Sequence, residues 1–141
     1  MSNKSKITWK GGYSFEAEIT GHKFMIDISL EKGGNDLGPS PQSLLLPALA
    51  SCSAVGVVGI LNKMKIIGYE LDMDVEAEKV EEHPQVYNKI TVIYNFRGND
   101  LQDIKLHKAV SVSEERYCGV YAMLSKTAQI KTVITINGVQ I

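Results

Sequence analysis

Residues 46–59 read LPALASCSAVGVVG, an almost uninterrupted apolar run with one thiol, Cys52, near its middle. The surrounding stretch 44–61 carries no charge and just reaches the length of a membrane span, about 18 residues. Pro47, Ser51, Ser53, Gly56 and Gly59 dilute its hydrophobicity, and the flanking segments read as soluble β structure. The run is therefore read as a helix apolar all round, buried at the centre of a globular protein. Ser40 is placed to cap it and Pro41 suits a first helical turn, which predicts a helix over about 41–65. Ala50, Ser53, Gly56 and Gly59 recur at three-residue spacing, a stripe of small side chains that another backbone can approach closely. Pro47 falls inside the predicted helix, where it removes a backbone hydrogen bond and is expected to kink the early turns.

On the N-terminal side, apolar and polar residues alternate. Ile7 and Trp9, then Phe15, Ala17 and Ile19, then Phe24, Ile26 and Ile28 fall on one face of successive strands. Gly11-Gly12 and Thr20-Gly21 supply the turns, and EKGGNDLGPS at 31–40 is a loop. On the C-terminal side, YELDMDVEAEKV puts Leu71, Met73, Val75 and Ala77 inward and an acidic row outward, the pattern of a half-buried strand. NKITVIYNF follows as a strand after the turn at His83-Pro84. Asp100 and Asp103 open a helix through about Val110, Ser111 or Ser113 opens another, and QIKTVITI is the last strand.

The 141 residues predict one domain, 1–141, long enough to bury a proper core without disulfide staples. Fifteen basic and sixteen acidic residues leave a net charge of −1, and only Arg97 and Arg116 are arginines. That balance gives no electrostatic footprint for nucleic acid, and neither a nucleic-acid nor a membrane partner is expected. The opening MSNKSKITWKGG lacks an apolar signal core. A cytoplasmic protein with reduced thiols is the expectation.

Cys52 in an apolar run is either a small core residue or a nucleophile kept where water is scarce. Cys118 is expected in the first turns of the last helix, where the positive end of the dipole favours a thiolate modestly. The two lie 66 positions apart, which fits neither zinc-ligand spacing nor a C-x-x-C redox motif. No metal or cofactor is expected. His22, His83 and His107 sit singly and read as surface residues. Tyr117 and Tyr121 read as core or interface residues beside Cys118.

A β-rich front containing TWKGGYSFEAEITGHKFMID, a long helix opened by GPSPQSLLLPALASCS, two strands, SEERYCGVYAMLSKTA and a final strand together resemble the OsmC/Ohr family. The resemblance covers nearly the whole chain. It implies an α+β, two-layer subunit, its long central helix packed on antiparallel sheet and its fold intertwined with a second copy as a homodimer. It also implies thiol-dependent reduction of organic (alkyl or lipid) hydroperoxides, part of an oxidative stress response, with Cys52 as peroxidatic cysteine and Cys118 as the resolving cysteine that closes a disulfide. An external dithiol reductant would then regenerate the pair.

In the peroxidases of that family an arginine and a glutamate favour the thiolate. Here the matching positions hold Tyr13 and Gln42, so Gln42 can hydrogen-bond without charge, and Arg116 is the arginine expected to substitute. Glu114 or Glu115 offers a carboxylate, although acids at a helix start ordinarily serve the dipole. The alternative function is a non-catalytic relative that binds a small apolar ligand at the dimer interface.

Overall fold

The computed structural model describes all 141 residues, which form two compact units, Met1–Leu45 and Leu46–Ile141. In the first, β1 (Ser5–Trp9), β2 (Phe15–Ile19) and β3 (His22–Ile26) make an antiparallel meander. The register pairs Ile7 with Ala17 and Ala17 with Phe24, and likewise Trp9 with Phe15 and Phe15 with Ile26. Alternation therefore delivers one apolar face, as side chains two apart along a strand must share a side. Ala17 is buried on it, while Ile7, Trp9 and Phe24 stay exposed.

Thr20 and Gly21 link β2 to β3 with φ of 48° and 79°, the left-handed pair that matches a two-residue turn to the twist of its strands. Ile28 was expected to extend β3 but lies beyond it. The chain there is anchored instead by Asp27, whose buried carboxylate accepts from the Ser14 hydroxyl at 2.6 Å and from the amides of Ile28 and Leu37 at 2.7 and 3.3 Å. The Ser14 hydrogen bond, opposed by burial and helped by the amides, holds the Asp27 carboxyl below its ordinary range.

The apolar run becomes α1 (Leu45–Lys63), preceded by a 3-10 turn at Gln42–Leu44. Two local expectations are corrected. Ser40 does not cap the helix backbone: its hydroxyl donates to Ser43 Oγ, and Ser43 donates back to the Ser40 carbonyl. Pro47 is in the first turn of α1, because the helix starts at Leu45 and not at 41. Backbone N–H groups there have no helical partner anyway, so proline removes nothing.

Leu46–Ile141 carries a four-stranded sheet in the order β4 (Glu70–Lys79), β5 (Tyr87–Arg97), β6 (Gln129–Ile136), β7 (Val139–Gln140). Pairing is antiparallel except for β5 with β6, which run parallel. A parallel pair needs a long crossover, and residues 98–128 provide it with α2 (Asp103–Val112) and α3 (Gly119–Leu124). The short β7 has no counterpart among the predicted strands.

Every second residue of β5 from Ile90 to Phe96 is buried, against Leu49, Val57 and Leu61 of α1 and Leu106, Ala109 and Val110 of α2. Each large side chain in that set contributes roughly 1.5–3 kcal/mol of burial. The acidic row of β4 faces solvent as expected, with Glu70 and Asp72 held by Arg97. Helices and sheet thus share one core, an α+β arrangement that fixes α1 and the end of α2 with respect to β5.

Candidate functional site

The predicted helix boundary near Ser111 is absent. α2 runs directly into a single π turn, Ser113–Tyr117, closed by the Cys118 amide donating to the Ser113 carbonyl at 2.8 Å. Such turns concentrate at functional sites. This one buries Ser113 and Glu114 and leaves Glu115, Arg116 and Tyr117 in solvent. Ser113 donates to the Ser53 carbonyl of α1 at 2.7 Å. A Cβ on Gly56 would lie 2.2 Å from Ser113 Oγ, so α1 must be bare at that point. The close neighbour of the small-residue stripe at Ser53 and Gly56 is therefore this turn of the same chain, whereas Gly59 faces open space.

That packing brings the two thiols together. Cys118 is 3% exposed. Its sulfur accepts from Ser53 Oγ at 3.2 Å and from the Tyr121 amide at 3.3 Å, which sets it beside the half-buried Cys52, the chain neighbour of Ser53 on α1. Both thiols are free. Cys118 was expected within the first turns of a helix and is instead the extended residue that caps the short α3. Burial pushes its pKa up, the Ser53 hydroxyl and Tyr121 amide pull it back, and the Cys52 thiol pushes it up again, with a net rise. The dipole argument from sequence loses to desolvation.

Glu114 has a different role from a solvated helix-start acid. It is 8% exposed and accepts from the Tyr94 hydroxyl at 3.1 Å and from the Thr132 hydroxyl at 2.9 and 3.0 Å to its two oxygens. None of the ion pairs includes it. Burial raises its pKa; Thr132 and Tyr94 lower it less, and Glu115 adds to the rise. Tyr94 is pushed far above the usual phenol range by burial and by the charge of Glu114, while the nearby Ser53 hydroxyl opposes the shift. Sequence contained one hint: Glu114, Cys118 and Tyr121 stand at i, i+4 and i+7, one face of any helical turn.

Arg116 is exposed on the outer side of the π turn, and the groups that act on Cys118 are Ser53, Tyr121 and Cys52. Gln42 lies in the 3-10 turn that closes the first unit, and Tyr13 is exposed in that unit. His22, His83 and His107 are exposed, as read. No three His, Cys, Asp or Glu side chains converge as a set of metal ligands.

A sequence profile of the family described as OsmC-like protein matches residues 33–133, a span holding both cysteines and the buried glutamate. Protein YhfA of Escherichia coli (strain K12) is 32% identical over 128 residues, covering 90% of this chain and 92% of that protein. A hypothetical protein from Aquifex aeolicus VF5 superposes with a TM-score of 0.86 at 24% identity over 97% of both chains. The organic hydroperoxide resistance protein OhrB of Bacillus subtilis gives 0.65 at 19% identity, over 96% of this chain and 98% of its own; these two structures share the fold. With profile, relative and architecture in agreement across both cysteines, the chain belongs to the OsmC-like protein family.

Proposed function

We propose that this protein reduces organic hydroperoxides with a pair of thiols, Cys52 attacking and Cys118 resolving. The observation that carries the proposal is the placement of two free thiols side by side, Cys118 at the end of the π turn being hydrogen-bonded at 3.2 Å to Ser53, the residue next to Cys52 on α1. The Cys52 thiolate attacks the terminal peroxide oxygen, the O–O bond breaks, and the departing alkoxide takes a proton to leave as an alcohol and Cys52–SOH. Cys118 then displaces hydroxide from that sulfur, forming the disulfide and water, and an external dithiol reductant restores both thiols. Gln42, being uncharged, cannot ionise a thiol. Arg116 stays the arginine proposed to favour the thiolate, a role that requires it to leave its exposed position on the π turn.

An apolar cleft of about 480 Å³ lined by Leu46, Pro47, Ala50, Ala54, Met73 and Val75 offers a seat for an alkyl or lipid chain on the same helix as Cys52. That cleft also favours the second reading, a protein that binds a small apolar molecule without chemistry. Stopped-flow oxidation with cumene hydroperoxide and hydrogen peroxide in parallel, following Cys52, separates them. The peroxidase reacts faster with the bulky peroxide by about tenfold or more, equivalent to about 1.4 kcal/mol of apolar contact. Slow reaction with both, together with a copurifying apolar molecule, overturns it in favour of binding.

The homodimer belongs to the same proposal. α1 with its preceding turn is long and apolar enough to cross a membrane by length and composition, yet only 28% of its most apolar stretch is buried within the chain. Val55 at mid-helix is 73% exposed. A second copy covering this face explains why it is uncharged, and reduced thiols suit a soluble, cytoplasmic dimer. Val55→Asp should raise the dimer dissociation constant by about a hundredfold or more, since a carboxylate at an apolar contact costs several kcal/mol. Sedimentation velocity reads this directly, and a wild-type monomer at micromolar concentration defeats the dimer.

A further inference from the structure

The peroxidase reading leaves a gap that rests on it: Cys118 must become a thiolate to resolve Cys52, and its surroundings are buried and carry no cation. A chain of hydroxyls runs from its sulfur to Glu114. Ser53 Oγ donates to Cys118 Sγ at 3.2 Å, and the same buried hydroxyl is a near neighbour of Tyr94, close enough to act on its hydroxyl. Tyr94 Oη lies 3.1 Å from Glu114 Oε1, and Thr132 fixes both carboxyl oxygens. Ser53 and Tyr94 are fully buried, so no bulk water competes along the path. Glu114 itself lines a cleft of about 210 Å³ together with His107, Glu115, Tyr121 and Thr132, which connects the far end of the chain to solvent.

We propose that Glu114 is the proton acceptor for Cys118, drawing the thiol proton through Ser53 and Tyr94. In the resting arrangement Ser53 donates to Cys118 and Tyr94 donates to the Glu114 carboxylate; transfer begins when the Ser53 hydroxyl rotates to donate to Tyr94 and the Cys118 S–H donates to Ser53. Each proton then moves one place. The result is a Cys118 thiolate accepting from Ser53, Tyr94 donating to Ser53, and a Glu114 carboxylic acid donating to Tyr94. The shift is concerted, since burial and the Glu114 charge exclude a free tyrosinate. The thiolate then forms the S–S bond with Cys52 as the S–OH bond breaks. Hydroxide takes a proton from solvent, and Glu114 releases its own into the cleft, so charge and protons balance.

This assignment also gives a reason to bury a carboxylate without a cation. An acceptor matched to a thiol must have its proton affinity raised, and desolvation raises that of Glu114. The titratable groups facing it are Tyr94 from β5, Tyr121 from α3 and Glu115 from its own turn, with His107 from α2 on the shared cleft; Cys118 is faced by Cys52, Tyr94 and Tyr121. Because the raised carboxyl binds protons more tightly folded than unfolded, native stability falls as pH climbs from the unfolded carboxyl value through the folded one. Glu114→Gln should therefore leave the thermal midpoint at pH 7 unchanged or higher.

The test follows conversion of Cys52–SOH to disulfide in single turnover by quenched flow and thiol alkylation, between pH 5 and 9, in wild type, Glu114→Gln, Tyr94→Phe and His107→Gln. Wild type and His107→Gln should rise with ionisation of Glu114 and then level off. Glu114→Gln and Tyr94→Phe should be about a hundredfold slower at pH 7 and climb steadily with pH, since solvent must ionise Cys118. A cyclic dione that captures sulfenic acid should label Cys52 equally in all four. Wild-type rates and plateau in both Glu114→Gln and Tyr94→Phe overturn the relay with the peroxidase intact. A wild type that yields no dione adduct at Cys52 removes the peroxidase reading, and the relay with it. Movement of the plateau in His107→Gln assigns the pH dependence to the histidine and overturns the relay equally.

Discussion

Cys52→Ser should abolish hydroperoxide consumption, by on the order of a thousandfold or more, because a serine hydroxyl at neutral pH supplies no comparable nucleophile and there is no second route to the O–O bond. Cys118→Ser should behave differently. Its first turnover should proceed at the wild-type rate, since Cys118 is proposed to act only after Cys52 is oxidised. Without the resolving thiol the Cys52 sulfenic acid has no internal partner and proceeds with excess peroxide to the sulfinic acid, which thiols do not reverse. Mass spectrometry should find an intramolecular Cys52–Cys118 disulfide in wild type and a doubly oxygenated Cys52 in Cys118→Ser. A disulfide also requires Cα atoms within about 7 Å, so recovery of the intramolecular link after mild oxidation is an independent check on the thiol contact. Peroxide consumption that survives in Cys52→Ser and disappears in Cys118→Ser would exchange the two roles.

Asymmetry between the cysteines explains which parts of the site the sequence conveyed. Cys52 sits in a long charge-free run, and a run of that kind announces a helix against a core whatever it packs on, so α1 and its thiol were legible. Strand alternation was equally plain in β1, β2, β4, β5 and β6, because period-two patterning survives any change of partner. The surroundings of Cys118 were not legible. A π turn inserts one extra residue per turn and has no compositional signature, so Ser113–Tyr117 read as the start of a new helix and Glu114 as its solvated acid. In the fold that turn rotates Glu114 toward Tyr94 and Thr132, residues 20 and 18 positions away in the chain. Contacts of that range depend on the β5–β6 parallel pairing, which a crossover topology determines and local pattern does not. The exposure of Arg116 was hidden for the same reason: the turn that buries Glu114 leaves Arg116 in solvent.

Gly56 joins fold and chemistry at a single point, and its substitution should show both. Alanine there gains about 1 kcal/mol of helix propensity. Against this, its Cβ would stand 2.2 Å from Ser113 Oγ and 3.1 Å from Ser113 Cβ, and Ser113 cannot turn aside without giving up its hydrogen bond to the Ser53 carbonyl. Overpacking costs about 1–3 kcal/mol, and a lost buried hydrogen bond about 1–3 kcal/mol more. Gly56→Ala should therefore destabilise the protein by about 1–5 kcal/mol in chemical denaturation, the opposite of the usual helix result. Adding Ser113→Ala removes the clashing oxygen, and the double variant should recover part of the loss, with a coupling of about 1 kcal/mol or more between the two sites. Separating α1 from the π turn also separates Cys52 from Cys118, so disulfide yield after mild oxidation should fall in Gly56→Ala and return in the double variant. Additive free energies would mean that Gly56 and Ser113 do not share a contact, and the packing proposed to hold the thiols together would then have to reside elsewhere on α1.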